Sequence, residues 1–289
     1  MTARALLMAV PHTREPGFPA LPEVSDDVTS MQALLQRRGF HCEDVNAIPD
    51  GLDVDKFIES MAQLRNATLS DDLAVVYFSG HGHHIPCQDA SDDFTDECVV
   101  LNDGLLPDNW FRDTFWPDVN PGSQWVTCVD ACFSASSVIM LNPETHPPAS
   151  GRPRPEEDRA PAGRGADETE PLPPDDHVIM TLHDTPEPQL LTRPSPVARV
   201  SLSAAADDEY ALGASRNFVS SWWTRTLLQG LEQDPALSYT GLWQWSTQAW
   251  TAQFSSPKGR LVAGHPQMII SDAVGSFELA ASIALSAMR

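Results

Sequence analysis

The feature that most constrains this chain is the run LAVVYFS at 73–79, which passes directly into the loop Gly80-His81-Gly82. An unbroken apolar run of this length has no side left for water, so it reads as a strand covered on both faces. WVTCVDACFSAS (125–136) repeats the pattern and ends in small and polar residues, and RALLMAV (4–10) is a third apolar run. Between them lie two helical patterns. In 25–40, Ser25 is the expected N-cap, Val28, Met31, Leu34 and Leu35 fall at helical spacing, and Gly39 is the stop; in 54–67, Phe57, Ile58, Met61 and Leu64 share a face. HCEDVNAI (41–48) reads as a further strand and ECVVL (97–101) as a short hairpin strand. Buried strands alternating with helices imply a mostly parallel sheet with helices on both sides.

The alternation stops at 142–196, a stretch that holds 13 of the 25 prolines and few large apolar residues. Such a segment buries too little surface to offset its ordering entropy, so it reads as a disordered Pro-rich acidic linker, with VIMTL (178–182) docking locally. The chain thus divides into 1–141, the linker 142–196, and a second half 197–289. In that half, 197–205 reads as a strand, 218–233 and 239–254 as Trp-rich helices and 265–270 as a last strand, with Trp222, Trp223, Trp243, Trp245 and Trp250 assigned to packing.

Charge excludes some partners. There are 40 Asp+Glu against 18 Lys+Arg, a net charge of −22, so the basic footprint that nucleic acid or an anionic membrane requires is missing. Five cysteines occur, at 42, 87, 98, 128 and 132, without a CxxC pair or zinc-ligand spacing. With no signal-like or membrane-spanning run, the expectation is a soluble, cytoplasmic monomer in a reducing compartment.

In open α/β sheets, chemistry gathers at the carboxyl ends of the strands. Here those ends carry His81 and Cys132, an imidazole able to take a proton and a thiol able to become the nucleophile. Taken alone, such a pair is more often a turn histidine and a buried small hydrophobe. The spacing of 51 residues between 81 and 132, the loop F-S-G-H-G-H and the turn D-A-C-F-S together resemble the caspase-like cysteine peptidases, in particular the metacaspase branch of bacterial type I-like arrangement.

The resemblance implies one caspase-like three-layer α/β/α sandwich with a mostly parallel central sheet of about six strands. It implies His81 as catalytic base, Cys132 as nucleophile, and the amides of Gly82 and Cys132 as oxyanion hole. Asp130, Asp27 (with Asp26 as the fallback) and Ser79 match the acidic pocket for the residue before the cut, the P1 residue, implying Arg or Lys there. First-turn acids such as Asp26 and Asp27 also suit a helix dipole without any further role. Asp207 and Asp208 are candidate cleft acids. Phe133 and Ala135 depart from the His and Gly common in the family, at positions that are not catalytic.

Asp89, Asp92, Asp93, Asp96, Glu97 and Asp103 form an acidic run, where Asp96 and Asp108 match calcium ligands of the family. Pro107 and Ile139 occupy the other ligand positions and cannot coordinate through their side chains, while calcium takes six to eight oxygens. No cofactor is therefore required, and a calcium site would be weak or absent. His83 and His84 read as loop residues.

The expected activity is a cysteine endopeptidase acting on proteins or peptides with basic P1. The linker arginines Arg159 and Arg164, each followed by a small residue, are candidate self-cleavage sites, since Arg152, Arg154 and Arg193 precede proline. The alternative is a catalytically silent caspase-like scaffold binding basic partners. Retention of His81, Cys132 and the pocket acids favours the enzyme.

Overall fold

The computed structural model describes residues 2–44, 52–86, 95–132, 189–190, 197–205, 211, 220–254 and 266–270. The apolar runs are strands: β1 (Ala3–Ala9), β3 (Leu73–Ser79) and β7 (Gln124–Asp130), with β2 (His41–Asp44) beside β1. They join β9 (Ala198–Ser203), β10 (Gln267–Ile270) and β8 (Gln189–Leu190) in one seven-stranded sheet of order β2-β1-β3-β7-β9-β10-β8. Every pairing is parallel except that of β9 with β10. The sheet thus exceeds the six strands expected, and the extra strand, β8, comes from within 142–196. The docking segment 178–182 lies outside the described residues.

Alternation across the pleat sends two sets of side chains to opposite faces. Leu7, Val75, Tyr77, Val126, Cys128, Val200 and Leu202 pack with α1 (Glu23–Arg37), α3 (Trp222–Gln233) and α4 (Tyr239–Phe254). Leu6, Met8, Val76, Phe78 and Val129 pack with α2 (Val54–Ala67) and with a π-helical turn, Phe111–Phe115. There, Phe57, Phe111, Phe115, Trp116 and Trp125 meet edge to face, and the Arg199 guanidinium of β9 lies 4.7 Å from the Trp116 ring centre. Fully burying one such side chain contributes about 1.5–3 kcal/mol. Helices on both faces of one sheet make three layers, and both chain halves contribute to the same core.

Three local readings need correction. Helix α1 starts at Glu23, two residues before Ser25, with no side-chain cap. Pro22, at φ −60°, already has helical backbone, so Ser25 falls within the first turn and its carbonyl accepts from the Thr29 hydroxyl. The strand expected over 125–136 ends at Asp130. The lone hairpin strand at 97–101 is one of three: β4 (Gly82–Pro86), β5 (Thr95–Val100) and β6 (Leu105–Pro107) form a separate antiparallel sheet. The helix stop is where the sequence places it. Gly39 has φ +82°, and the Gly39 and Phe40 amides return to the carbonyls of Gln36 and Leu35.

Candidate active site

Strands β3 and β7 run side by side, with Ser79 opposite Asp130 at their carboxyl ends. Beyond this pair the two chains stay together: the Gly80 amide donates to the Asp130 carbonyl at 3.1 Å, and the Val100 amide of β5 holds the His81 carbonyl at 3.0 Å. Gly82 then packs so closely on Cys132 that a Cβ there would lie 1.9 Å from the Cys132 carbonyl oxygen. Only a residue without a side chain permits that approach. The turn carrying His81 and the turn carrying Cys132 therefore abut through their backbones.

The His81 ring is 8% exposed and lies under Phe18, with ring centres 5.2 Å apart. Its Nε2 is 2.8 Å from the Pro19 carbonyl oxygen. A carbonyl only accepts, so Nε2 carries the proton and donates it, which leaves Nδ1 with its lone pair. Burial lowers the His81 pKa, outweighing the opposing effects of the Pro19 carbonyl and of Glu23. Cys132 is half-buried, and its thiol is pushed up to about 11, chiefly by burial and further by Asp130, against the backbone amides of Ala211 and Cys132 that favour the thiolate. Both shifts point to a resting pair of neutral imidazole and neutral thiol.

The three residues matched to the acidic pocket are brought together. Asp27, 0% exposed on α1, accepts from the Ser79 hydroxyl at 3.2 Å, the Ser220 hydroxyl at 2.7 Å and the Ser221 amide at 2.9 Å. Asp130, 4% exposed, accepts from the Ser221 hydroxyl, the Thr224 amide at 3.2 Å and the Thr224 hydroxyl at 2.6 Å. Burial raises Asp27, and burial with the charge of Asp27 raises Asp130 to about 7. Asp26, the fallback, is exposed, while Asp27 is buried and bonded to Ser79.

Several contributors carried no sequence signal as site residues. The Pro19 oxygen is backbone, and only the Pro-rich stretch between β1 and α1 marks the loop that bears it. Ser220, Ser221 and Thr224 fall within the helix expected over 218–233 and carry no mark of a site there. In the structure α3 begins at Trp222, with Ser221 as its N-cap accepting from the Thr224 amide, while the Ser221 hydroxyl also serves Asp130.

Asp96 and Asp108 are buried near Cys98, where with Glu97 they raise the thiol pKa further than burial alone. Among the described residues, no group of three or more His, Cys, Asp or Glu is arranged to hold a metal ion. Two carboxylates by themselves do not fit the oxygen-rich shell of calcium. His83 and His84, read as loop residues, lie instead within strand β4, paired with Cys98 and Glu97 of β5, and His83 packs edge-on against Phe18. Asp89, Asp92, Asp93, Asp207, Asp208, Arg159 and Arg164 lie outside the described residues.

Solved structures share this fold. The protein GSU0716 of Geobacter sulfurreducens superposes with a TM-score of 0.62 at 14% identity, covering 100% of each chain. Caspase-1 of Spodoptera frugiperda superposes with a TM-score of 0.53 at 12% identity, covering 93% of this chain and 88% of that one. The fold is caspase-like. The caspase-domain family, peptidase C14, matches residues 3–244, and the chain belongs to that family.

Within it the chain is similar to metacaspases. Metacaspase-4 of Arabidopsis thaliana is 32% identical over 152 residues, 48% of this chain and 35% of that protein. Metacaspase-7 of the same plant is 31% identical over 153 residues, 48% of this chain and 36% of that protein. The matches span about a third of the length of these relatives. No described helix is long and apolar enough to cross a membrane.

Proposed function

We propose that this protein is a cysteine endopeptidase that cuts protein or peptide chains after Arg or Lys. The observation that carries the reading is the abutment of the His81-Gly82 turn on Cys132, beside two buried carboxylates without a basic partner among the described residues. The Cys132 sulfur attacks the scissile carbonyl, and Nδ1 of His81 takes the thiol proton. The amides of Gly82 and Cys132 receive the developing oxyanion. His81 returns the proton to the leaving amine as the C–N bond breaks, forming a thioacyl-enzyme. Water, deprotonated by His81, then hydrolyses the thioester and restores the thiol. No step is routed through calcium.

With the thiol near 11 and the imidazole lowered, substrate must drive proton transfer, so the resting enzyme holds little thiolate. The Asp27–Asp130 pair supplies the charge that a guanidinium or ammonium requires, and rejects an acidic P1. Self-cleavage after Arg159 or Arg164 accompanies this activity, since a tethered segment is present at high effective concentration.

Hydrolysis of a fluorogenic peptide ending in Arg, measured beside its Asp counterpart, tests the reading. Wild type is expected to cleave only the first, and Cys132→Ala and His81→Ala neither. Equal cleavage of both peptides, or turnover by either variant near the wild-type rate, rejects it. Intact mass of wild type beside Cys132→Ala tests the self-cleavage: a wild type that turns over peptide while staying full length rejects that part.

A further inference from the structure

The two pocket carboxylates are tied to one another through a single residue of the second half. The Ser221 amide donates to Oδ1 of Asp27, and the Ser221 hydroxyl donates to Oδ2 of Asp130. Ser79, opposite Asp130 in the sheet, donates to the other oxygen of Asp27. Thr224 closes the cage, with its hydroxyl on Asp130 and also 2.5 Å from the Tyr77 hydroxyl. Among the described residues every hydrogen-bond partner of the two acids is neutral, a hydroxyl or an amide, and both side chains are buried.

Two negative charges held together in that setting repel strongly, because the medium between them screens little. Neutral donors stabilise one carboxylate well, but they do not cancel a second charge. The other titratable groups facing the pair make matters no easier: buried Tyr77 from β3 and half-buried Cys132 beyond the end of β7 are both acids, and both are held protonated. Helix α1 contributes Asp27 itself, and the first turn of α3 meets the pair with Ser221 and Thr224. A pair so placed keeps a proton until a cation arrives.

We propose that Asp27 and Asp130 form a proton-loaded cation site, which gives up its shared proton when the Arg or Lys side chain of a substrate enters, and that Ser221 and Thr224 are the positioning residues that hold it. This rests on the basic-P1 reading above. The exchange balances: one proton leaves the pair to solvent as one guanidinium or ammonium takes its place, and no other bond changes. The acids then ionise fully only around their ligand. Selectivity comes with this arrangement, since a neutral P1 side chain of the same shape has no charge with which to displace the proton.

The full-length Cys132→Ala protein, titrated calorimetrically at mildly acidic pH in buffers of different ionisation enthalpy, tests the exchange. The probes are an acetylated tetrapeptide amide ending in Arg and the same peptide ending in citrulline. The Arg peptide is expected to release about one proton per site on binding, and the citrulline peptide none. In Cys132→Ala/Asp27→Asn, the Arg peptide is expected to bind without release. Binding of the Arg peptide with no proton released in either protein overturns the proposal and leaves the basic-P1 reading intact. Failure of the Arg peptide to bind, with wild type cleaving after another residue, overturns both. For the positioning role, Thr224→Val in the active enzyme is expected to raise KM for the Arg substrate about tenfold with kcat retained, and Thr224→Ser to restore it. An unchanged KM, or a fall in kcat alone, removes Thr224 from the site.

Discussion

At the scale of single residues, the site depends on what Gly82 lacks. A methyl group there would sit 1.9 Å from the Cys132 carbonyl oxygen, which is backbone and has no rotamer to yield. Gly82→Ala is therefore expected to part the two turns and to reduce peptide hydrolysis at least a hundredfold, roughly the effect of a 1 Å misplacement. Circular dichroism should stay native, because Gly82 begins a strand of the small antiparallel sheet and contributes no side chain to the core. Activity near wild type would show that the abutment is not needed. The thiol gives a second test. Since burial holds Cys132 near 11, its alkylation by iodoacetamide is expected to be slow at neutral pH and to accelerate up to about that pH, with no plateau near neutrality. A plateau near neutrality would mean that the resting thiolate forms far more readily.

At the scale of elements, helix packing sets where α3 presents its first turn. Gly230 of α3 faces Trp245 of α4, and a Cβ would come within 2.7 Å of Trp245 Cδ1. The Trp245 Nε1 donates to the Thr226 carbonyl, so the ring is not free to swing away. Gly230→Ala is expected to destabilise the protein by about 1–3 kcal/mol in denaturant unfolding, despite the gain in helix propensity. An increase in stability would show that the ring moves. This contact was invisible in the sequence, although α4 itself, read as 239–254, has those bounds in the structure. Periodicity reports which side of a helix is apolar but not which neighbour it meets. Strand β4 escaped for a different reason: Gly82-His83-His84-Ile85-Pro86 has neither alternation nor an apolar run. The pocket acids were legible only through the resemblance, since Asp130 stands at a strand end but Asp27 lies in the first turns of α1, where an acid needs no further role. Ser220 and Ser221 were not, since 193 and 194 residues separate them from Asp27 and nothing local marks the meeting.

At the scale of the whole molecule, the acid pair couples stability to pH. Asp130 titrates near 7 in the folded chain against an ordinary 3.8, so between those values the folded state binds more protons than the unfolded one. The contribution is fully present below about 3.8 and is lost as pH rises through about 7. Asp72 and Asp113 are shifted downward and act in the opposite sense, so the informative quantity is a difference. Relative to Asp27→Asn, wild type is expected to lose stability between pH 4 and pH 7, with chemical denaturation at a series of pH values as the measurement. Parallel curves would mean that the pair is not coupled to folding.

The position of β9 has a consequence for how the chain is made. It pairs along β7 from Gln124 with Ala198 through to Val129 with Ser203, one residue short of the strand's end, and thus covers the second edge of the strand that leads to Cys132. A ribosome releases β1, β3 and β7 well before β9 emerges. During that interval β7 is the bare edge of a half-built parallel sheet, with Trp125, Val126 and Val129 lacking their later neighbours. Pairing over so great a sequence distance is slow, and an apolar strand with an open edge invites self-association. A nascent chain stalled short of residue 198 would hold its nucleophile on an unfinished sheet, so synthesis of the second half sets the moment at which the cleft can first exist.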